Sequence, residues 1–355
     1  MENKFLTPEV VAKEALMVLS GNLVMADLVH RDYADEFVAV GDTVSIRKPA
    51  HFVAKNFTGT TESQDITEGS VPVKLDRFRD VTVAVTSKQM TLDIADFSKQ
   101  VVEPAMQAIA QAIDQDLLAV GAEAAAKTVE GSEGGLGDIA ALAKHLDMAK
   151  APQSERSLVL HPEHKYRYAL AENLSNVSYA GDNQTLRDAL LGRVYTLDTY
   201  MDQNAPGSNA EQPGTATTFT VTGNAGETTV TVAGADGTIA AGDGFILGGY
   251  LYRFLEGGQG ELTIDQKLME SADGETVTVV SKPMSLAFHR NALALVTRNL
   301  SLPMGASRAA YAEANGLGVR VVYDYDAATK TDKISFDVIY GIAPLAPQLI
   351  ASLKG

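Results

Sequence analysis

Few side chains in this sequence are able to do covalent or metal chemistry, and their spacing decides what they can do. His161-Pro162-Glu163-His164 places two imidazoles three residues apart at the start of a helix, where they could ligate one metal ion for a soluble hydrolase. The zinc-protease pattern needs its histidines four apart, with a glutamate between them that reaches the bound water, and that pattern is absent. Capping and packing at a strand-to-helix corner is the competing reading of His161. Ser285, His289 and Asp273 are the residue types of a nucleophile triad, but no strand-elbow motif surrounds the serine. The glycine-rich run Gly131 to Gly137 lacks the lysine of a phosphate-binding loop, and Gly242-Asp243-Gly244 lies in strand-rich sequence. Cysteine is absent, which excludes disulfides, thiolate nucleophiles and Cys-ligated metals. Without tryptophan and with 6% aromatics, a stacking platform for bases or sugars has little material, although the β-rich segment leaves a weak glycan site open. The reading is therefore of a protein that is not an enzyme, with no catalytic residue, no cofactor and no metal site.

The other chemistry on offer is ionic. Val44 and Ile46 alternate with polar residues before Pro49, and Val71, Val73, Leu75, Val81, Val83 and Val85 keep the same period of two. Between these strands, residues 56–70 are mostly small and polar. This predicts a long two-stranded excursion that buries too little of itself to be stable alone. Arg47, Lys48, Lys55, Asp65, Glu68, Arg77 and Arg79 lie along it and are the candidate inter-subunit ion pairs. A solvated loop whose charges do nothing measurable is the alternative.

Around this ribbon the periodicities predict a mixed α+β chain. Thr7-Pro8-Glu9 opens an amphipathic helix carrying Val11, Ala15, Val18, Leu19 and Leu23, with docking on its own core or on a neighbouring subunit both open. From Thr91 a long helical pattern runs to about Lys127, with regular helix expected to begin, or a kink to fall, at Pro104. Asp138 is the expected cap of the next helix, followed by a buried strand at 157–160 and a helix carrying Tyr166, Ala169 and Leu170. Residues 205–282 hold 14 of the 30 glycines and threonine-rich strands, the signature of a small β insert. Helix-forming sequence is expected to return at Ser285, and Val319–Tyr325 with Ile334–Tyr340 forms a closing hairpin.

Composition sets the outer limits. The 355 residues carry 29 basic and 45 acidic side chains, a net charge of −16, which opposes adhesion to nucleic-acid phosphate or anionic lipid. With 45% hydrophobic residues the composition is that of an ordinary globular protein. No apolar run approaches the roughly 18 residues of a membrane span. The opening residues lack a secretory signal pattern, so production in a reducing cytoplasm is expected.

Several stretches together resemble a known family. Ser285-Leu286-Ala287-Phe288-His289-Arg290-Asn291-Ala292-Leu293-Ala294-Leu295-Val296, followed by Leu300-Ser301-Leu302-Pro303, resembles a segment of the major capsid (coat) proteins of tailed bacteriophages. The closest group is the coat-protein family of the short-tailed Salmonella transducing phage. Leu6-Thr7-Pro8, Asn22-Leu23-Val24, Arg31-Asp32-Tyr33, Gly41-Asp42-Thr43-Val44, Ile46-Arg47-Lys48-Pro49, Thr91 to Phe97, Pro104-Ala105 and Val338-Ile339-Tyr340-Gly341 agree with it in the same order. The resemblance implies the Hong Kong 97-type capsid fold. Its parts here would be an N-terminal arm (1–35), an extended β-hairpin loop (36–88) and a peripheral domain with a long spine helix (89–170, plus strands from 315–345). They would continue with an axial domain (171–204 and 283–314), an all-β insertion domain (205–282) and a C-terminal tail (346–355). The implied function is self-assembly into pentamers and hexamers of an icosahedral shell around double-stranded DNA, which is held without sequence-specific contact. Partners would be further copies, a scaffolding protein and a portal protein, with no membrane. The location would be the virion, assembled in the host cytoplasm. Lysine–asparagine cross-links known in part of the wider fold family match no pair here, so a noncovalent shell is expected. A cargo-holding bacterial nanocompartment of the same fold is the alternative.

Overall fold

The computed structural model describes residues 8–31, 43–47, 69–86, 98–131, 135–171, 174, 191–207, 214–280, 282–303, 308–314, 317–326 and 331–355. They divide into two compact units, one built from 1–21, 31–109 and 294–345, the other from 22–30, 110–293 and 346–355.

In the first unit, helix α1 (Pro8–Asn22) starts on a proline whose missing N–H costs nothing at a helix start, with Glu9 on the positive end of the dipole. Val11, Ala12, Ala15, Leu16 and Leu19 are buried, so the chain itself covers the stripe. Strands Thr43–Arg47 and Ser70–Lys74 pair antiparallel with Ile46 opposite Val71. Their inward Val44, Ile46, Val73 and Leu75 pack with Ala294, Val296, Ala343 and Leu345. The 14-residue strand Thr331–Pro344 is central to a second sheet. It pairs antiparallel with Arg77–Thr86 on one side and with Leu317–Asp326 on the other, and Arg308–Ala314 pairs in turn with the latter. The expected hairpin is thus present, and its strand Thr331–Pro344 also pairs with Arg77–Thr86; of the residues 89–170 expected beside it, those up to Ile109 fall in the same unit and those from Ala110 in the other. Arg320 donates to the buried Asp337 from Nε at 2.8 Å and from Nη2, a two-nitrogen clamp across the hairpin.

A π-helical turn at Ser98–Val102 leads into the longest helix. That helix begins at Glu103, with Pro104 in its first turn, as the sequence requires. It ends at Glu123, about 32 Å on at 1.5 Å per residue, and not at Lys127. Lys127–Glu130 is instead a strand, because it pairs parallel with Ile350–Lys354. The expected helical residues 91–97 lie outside the described set.

The second unit, which takes this helix from Ala110 onward, adds the short α2 (Met25–Leu28) and a six-stranded mixed sheet. With the Glu103–Glu123 helix counted as α3, the helices that cover the sheet are α4 (Leu136–Met148) and α5 (Pro162–Ala169). The strand order is Lys127–Glu130, Ile350–Lys354, Met284–His289, Arg156–Leu160, Leu197–Met201, Arg193–Val194. Two expectations change here. Ser285-Leu286-Ala287-Phe288 is strand and not helix, because it is buried on both faces between Ile350–Lys354 and Arg156–Leu160 and so shows no alternation. Asp138 is not a cap: α4 starts two residues earlier, and Asp138 lies buried in its first turn, 3.5 Å from the Tyr168 hydroxyl. Residues 346–355, expected as a tail, carry one of the central strands. The face of α5 that packs inward is His164 and Tyr168, four apart, whereas Tyr166 and Leu170 are exposed.

The glycine-rich segment forms a second six-stranded sheet. Its order is Tyr250–Arg253, Gly244–Leu247, Ala272–Val280, Thr218–Gly223, Thr229–Ala233, Gly260–Thr263. Phe219, Phe245, Tyr252 and Phe254 fill its interior with ring centroids 5.2–5.6 Å apart, and a Phe254–Ile264 bridge ties its two ends.

Candidate assembly surface

The histidine pair is built as a corner support. His161 caps α5, its Nδ1 accepting the Glu163 N–H at 3.1 Å. Gly355 O can only accept, so His164 Nε2 carries the proton and donates to it at 3.1 Å. His164 Nδ1 then accepts from the Ser285 hydroxyl at 2.7 Å, and Ser285 Oγ in turn accepts the His161 N–H at 2.9 Å. Three of the four ring nitrogens are thus used within the chain, and the ring centroids stand 6.4 Å apart, edge to face. Burial lowers both pKa values, with the neighbouring His164 pushing His161 further down, to about 4. Among the described residues no group of three or more acidic or histidine side chains could hold a metal ion. The suspected triad is not assembled either: Ser285 is bonded to His164, His289 Nδ1 accepts from Asn291 N–H, and Asp273 sits in an exposed stretch of another sheet.

Of the seven ribbon charges, Lys48, Lys55, Asp65 and Glu68 lie outside the described residues, and Arg47 is described by its backbone only, opposite Ser70. Arg77 is buried, and Arg79 Nε donates to the Tyr340 hydroxyl at 3.3 Å, so both engage their own chain at the root of the ribbon.

Sequence reasoning missed two features of the second unit. Asp114, on α3, is buried and accepts the N–H groups of Val24 at 2.8 Å and Met25 at 3.1 Å, holding the start of α2. Burial, and next the charge of Asp202, raise its pKa to about 7 against the pull of these donors.

The second feature centres on Arg156, the largest fully buried side chain, at 1% exposure. Its guanidinium donates to Pro152 O at 2.7 Å, Ala151 O at 2.6 Å and Thr196 Oγ1 at 3.1 Å, and pairs with Asp147 at 2.8 Å. The four non-glycine residues with positive φ among those described surround it: Lys150 (57°), Glu155 (54°), Tyr195 (46°) and Thr196 (72°). Tyr195 and Thr196 form the two-residue turn of the hairpin Arg193–Val194 to Leu197–Met201, where a positive-φ pair usually calls for Asn-Gly. Each such position costs on the order of 1–3 kcal/mol and persists only where its surroundings impose it. Arg156 and the Arg193 bond to Gln153 O (2.9 Å) impose it here. The turn displays Tyr195 at 51% exposure beside Met148 at 74% on α4. No sequence signal marks this turn, since neither residue favours left-handed backbone.

This α+β fold is similar to that of solved phage capsid and head structures. A solved structure from Mycobacterium phage Che8 matches 93% of this chain and 90% of its own at TM-score 0.54 and 15% identity. The capsid of cyanophage P-SCSP1u matches 89% and 84% at TM-score 0.53 and 12% identity. The head of Helicobacter pylori bacteriophage KHP40 matches 100% and 93% at TM-score 0.53 and 9% identity. Neither a protein-family model nor a curated protein matches the sequence.

Proposed function

We propose that the chain is a major capsid protein whose copies assemble as pentamers and hexamers into an icosahedral shell enclosing the double-stranded DNA of a tailed phage or prophage. The observation that carries this reading is the near-complete overlap, in both directions, with phage capsid and head structures. The ordered motifs that resemble the coat proteins of the short-tailed Salmonella transducing phage support this reading. A net charge of −16 suits a container that holds DNA without adhering to it. In this reading Arg47, Lys48, Lys55, Asp65 and Glu68 form ion pairs with a neighbouring copy, while Arg77 and Arg79 anchor the ribbon. A scaffolding protein and a portal protein complete the assembly in the host cytoplasm, and no catalysis is involved.

Electron microscopy of the purified protein, alone and with its scaffolding partner, tests the reading. Closed shells tens of nanometres across, with nuclease-protected DNA in particles from infected cells, are the expected result. Discrete small particles at every concentration would refute it. Shells loaded with protein and free of DNA would favour a nanocompartment. Denaturing electrophoresis of mature particles should show the monomer alone, without a cross-linked ladder.

A further inference from the structure

We propose that the surface formed by α4 and the Tyr195–Thr196 turn is a docking site for an acidic face of a second copy of this chain. The inference rests on the shell reading and names one of its contacts. Met148 and Tyr195 flank a shallow cleft floored by Ala140 and Ala143. Both are large and solvent-exposed, and they adjoin one another at the cleft instead of being scattered singly. An exposed aromatic with an apolar neighbour is the composition of binding hot spots. Arg156 fixes the display in advance, because its bonds to Ala151, Pro152 and Thr196 hold both strained segments, so little freedom is lost on docking.

Charge selects the partner. Asp147 is paired with Arg156, Glu155 with Arg290, and Arg193 with Asp198. Lys144, which lines the cleft, and Lys150 are exposed and have no ion-pair partner among the described residues. With Asp147 in the lining neutralised by Arg156, Lys144 at the cleft and Lys150 just past the end of α4 leave an excess of positive charge beside an apolar centre, on a chain with 45 acidic against 29 basic residues. A second copy supplies the acidic complement in excess, and rim charges of this kind set orientation and association rate.

Two variants test this. Tyr195→Asn removes the ring and supplies a residue that tolerates left-handed backbone. It should keep or raise the unfolding temperature while weakening self-association in sedimentation velocity by about tenfold or more, with a matching loss of shells. Lys144→Glu with Lys150→Glu should weaken association comparably and flatten its dependence on salt. Either variant assembling at the wild-type concentration overturns the inference and leaves the shell reading intact, as does a loss of assembly that merely follows a loss of thermal stability. Wild-type protein that associates at no concentration, even with its scaffolding partner, overturns both. Association that requires the scaffolding protein and is captured through Tyr195 would make that protein the occupant, and the inference wrong.

Discussion

Single side chains in the second unit hold its loops against their own preferences. Arg156 is a buried cation with four partners, and removing it leaves the buried Ala151 carbonyl without its donor and releases the Pro152, Thr196 and Asp147 contacts. Arg156→Ala should therefore cost about 1–3 kcal/mol in denaturant unfolding, more than an exposed arginine. Arg156→Lys should recover only part of this, because a point-like ammonium cannot span the same acceptors. His161 makes stability depend on pH. Its folded pKa lies near 4 against an ordinary 6.5, so the unfolded chain takes up the proton first. The stability from its neutral ring is present above pH 6.5 and lost as pH falls toward 4. Asp114 acts in the opposite sense, its raised pKa favouring the fold at low pH and losing that contribution as pH rises through 7. The melting temperature should thus fall less between pH 7 and 4.5 in His161→Asn, which keeps the cap, than in wild type; equal falls would remove His161 from the account. The capping role of His161 was legible because His-Pro-Glu is a local pattern. Arg156 was not, since its partners lie four, five, nine and forty residues away and no local rule connects them.

At the level of elements, local signals were readable wherever one face meets water. The insert strands Thr218–Gly223 and Thr229–Ala233 alternate cleanly, and Pro8 and Pro104 fall in the first turns of their helices. The signals failed where pairing partners are remote. Met284–His289 has no exposed face, and Lys127–Glu130 follows an alanine-rich run yet is drawn into a sheet by Ile350–Lys354. Gly341 shows how close such pairing can be. A Cβ added there would overlap the Lys74 carbonyl oxygen, and backbone cannot step aside as a side chain can. Gly341→Ala should destabilise the first unit by about 1–3 kcal/mol, visible as a lower denaturation midpoint with unchanged slope. Asp114→Ala would leave the N–H groups at the start of α2 without acceptors, at a cost of about 1–3 kcal/mol. Faster amide exchange at Val24 and Met25 would locate that loss, and unchanged protection there would contradict it.

For the molecule as a whole, the class of fold was legible because ordered motifs spanned the chain, whereas the two-unit division was not, because each unit gathers three separated stretches. The insert has its own aromatic core, so residues 214–280 expressed alone should unfold cooperatively; a featureless thermal profile would show that the rest of the second unit is needed. The position of Ile350–Lys354 has a consequence during synthesis. It lies between Lys127–Glu130 and Met284–His289, and whereas Met284–His289 can pair with Arg156–Leu160, Lys127–Glu130 must wait on the ribosome until the sequence through Lys354 has emerged. A polypeptide terminated before Ile350 leaves Lys127–Glu130 without its partner strand and the sheet incomplete, so its fold is checked only when the last strand is made.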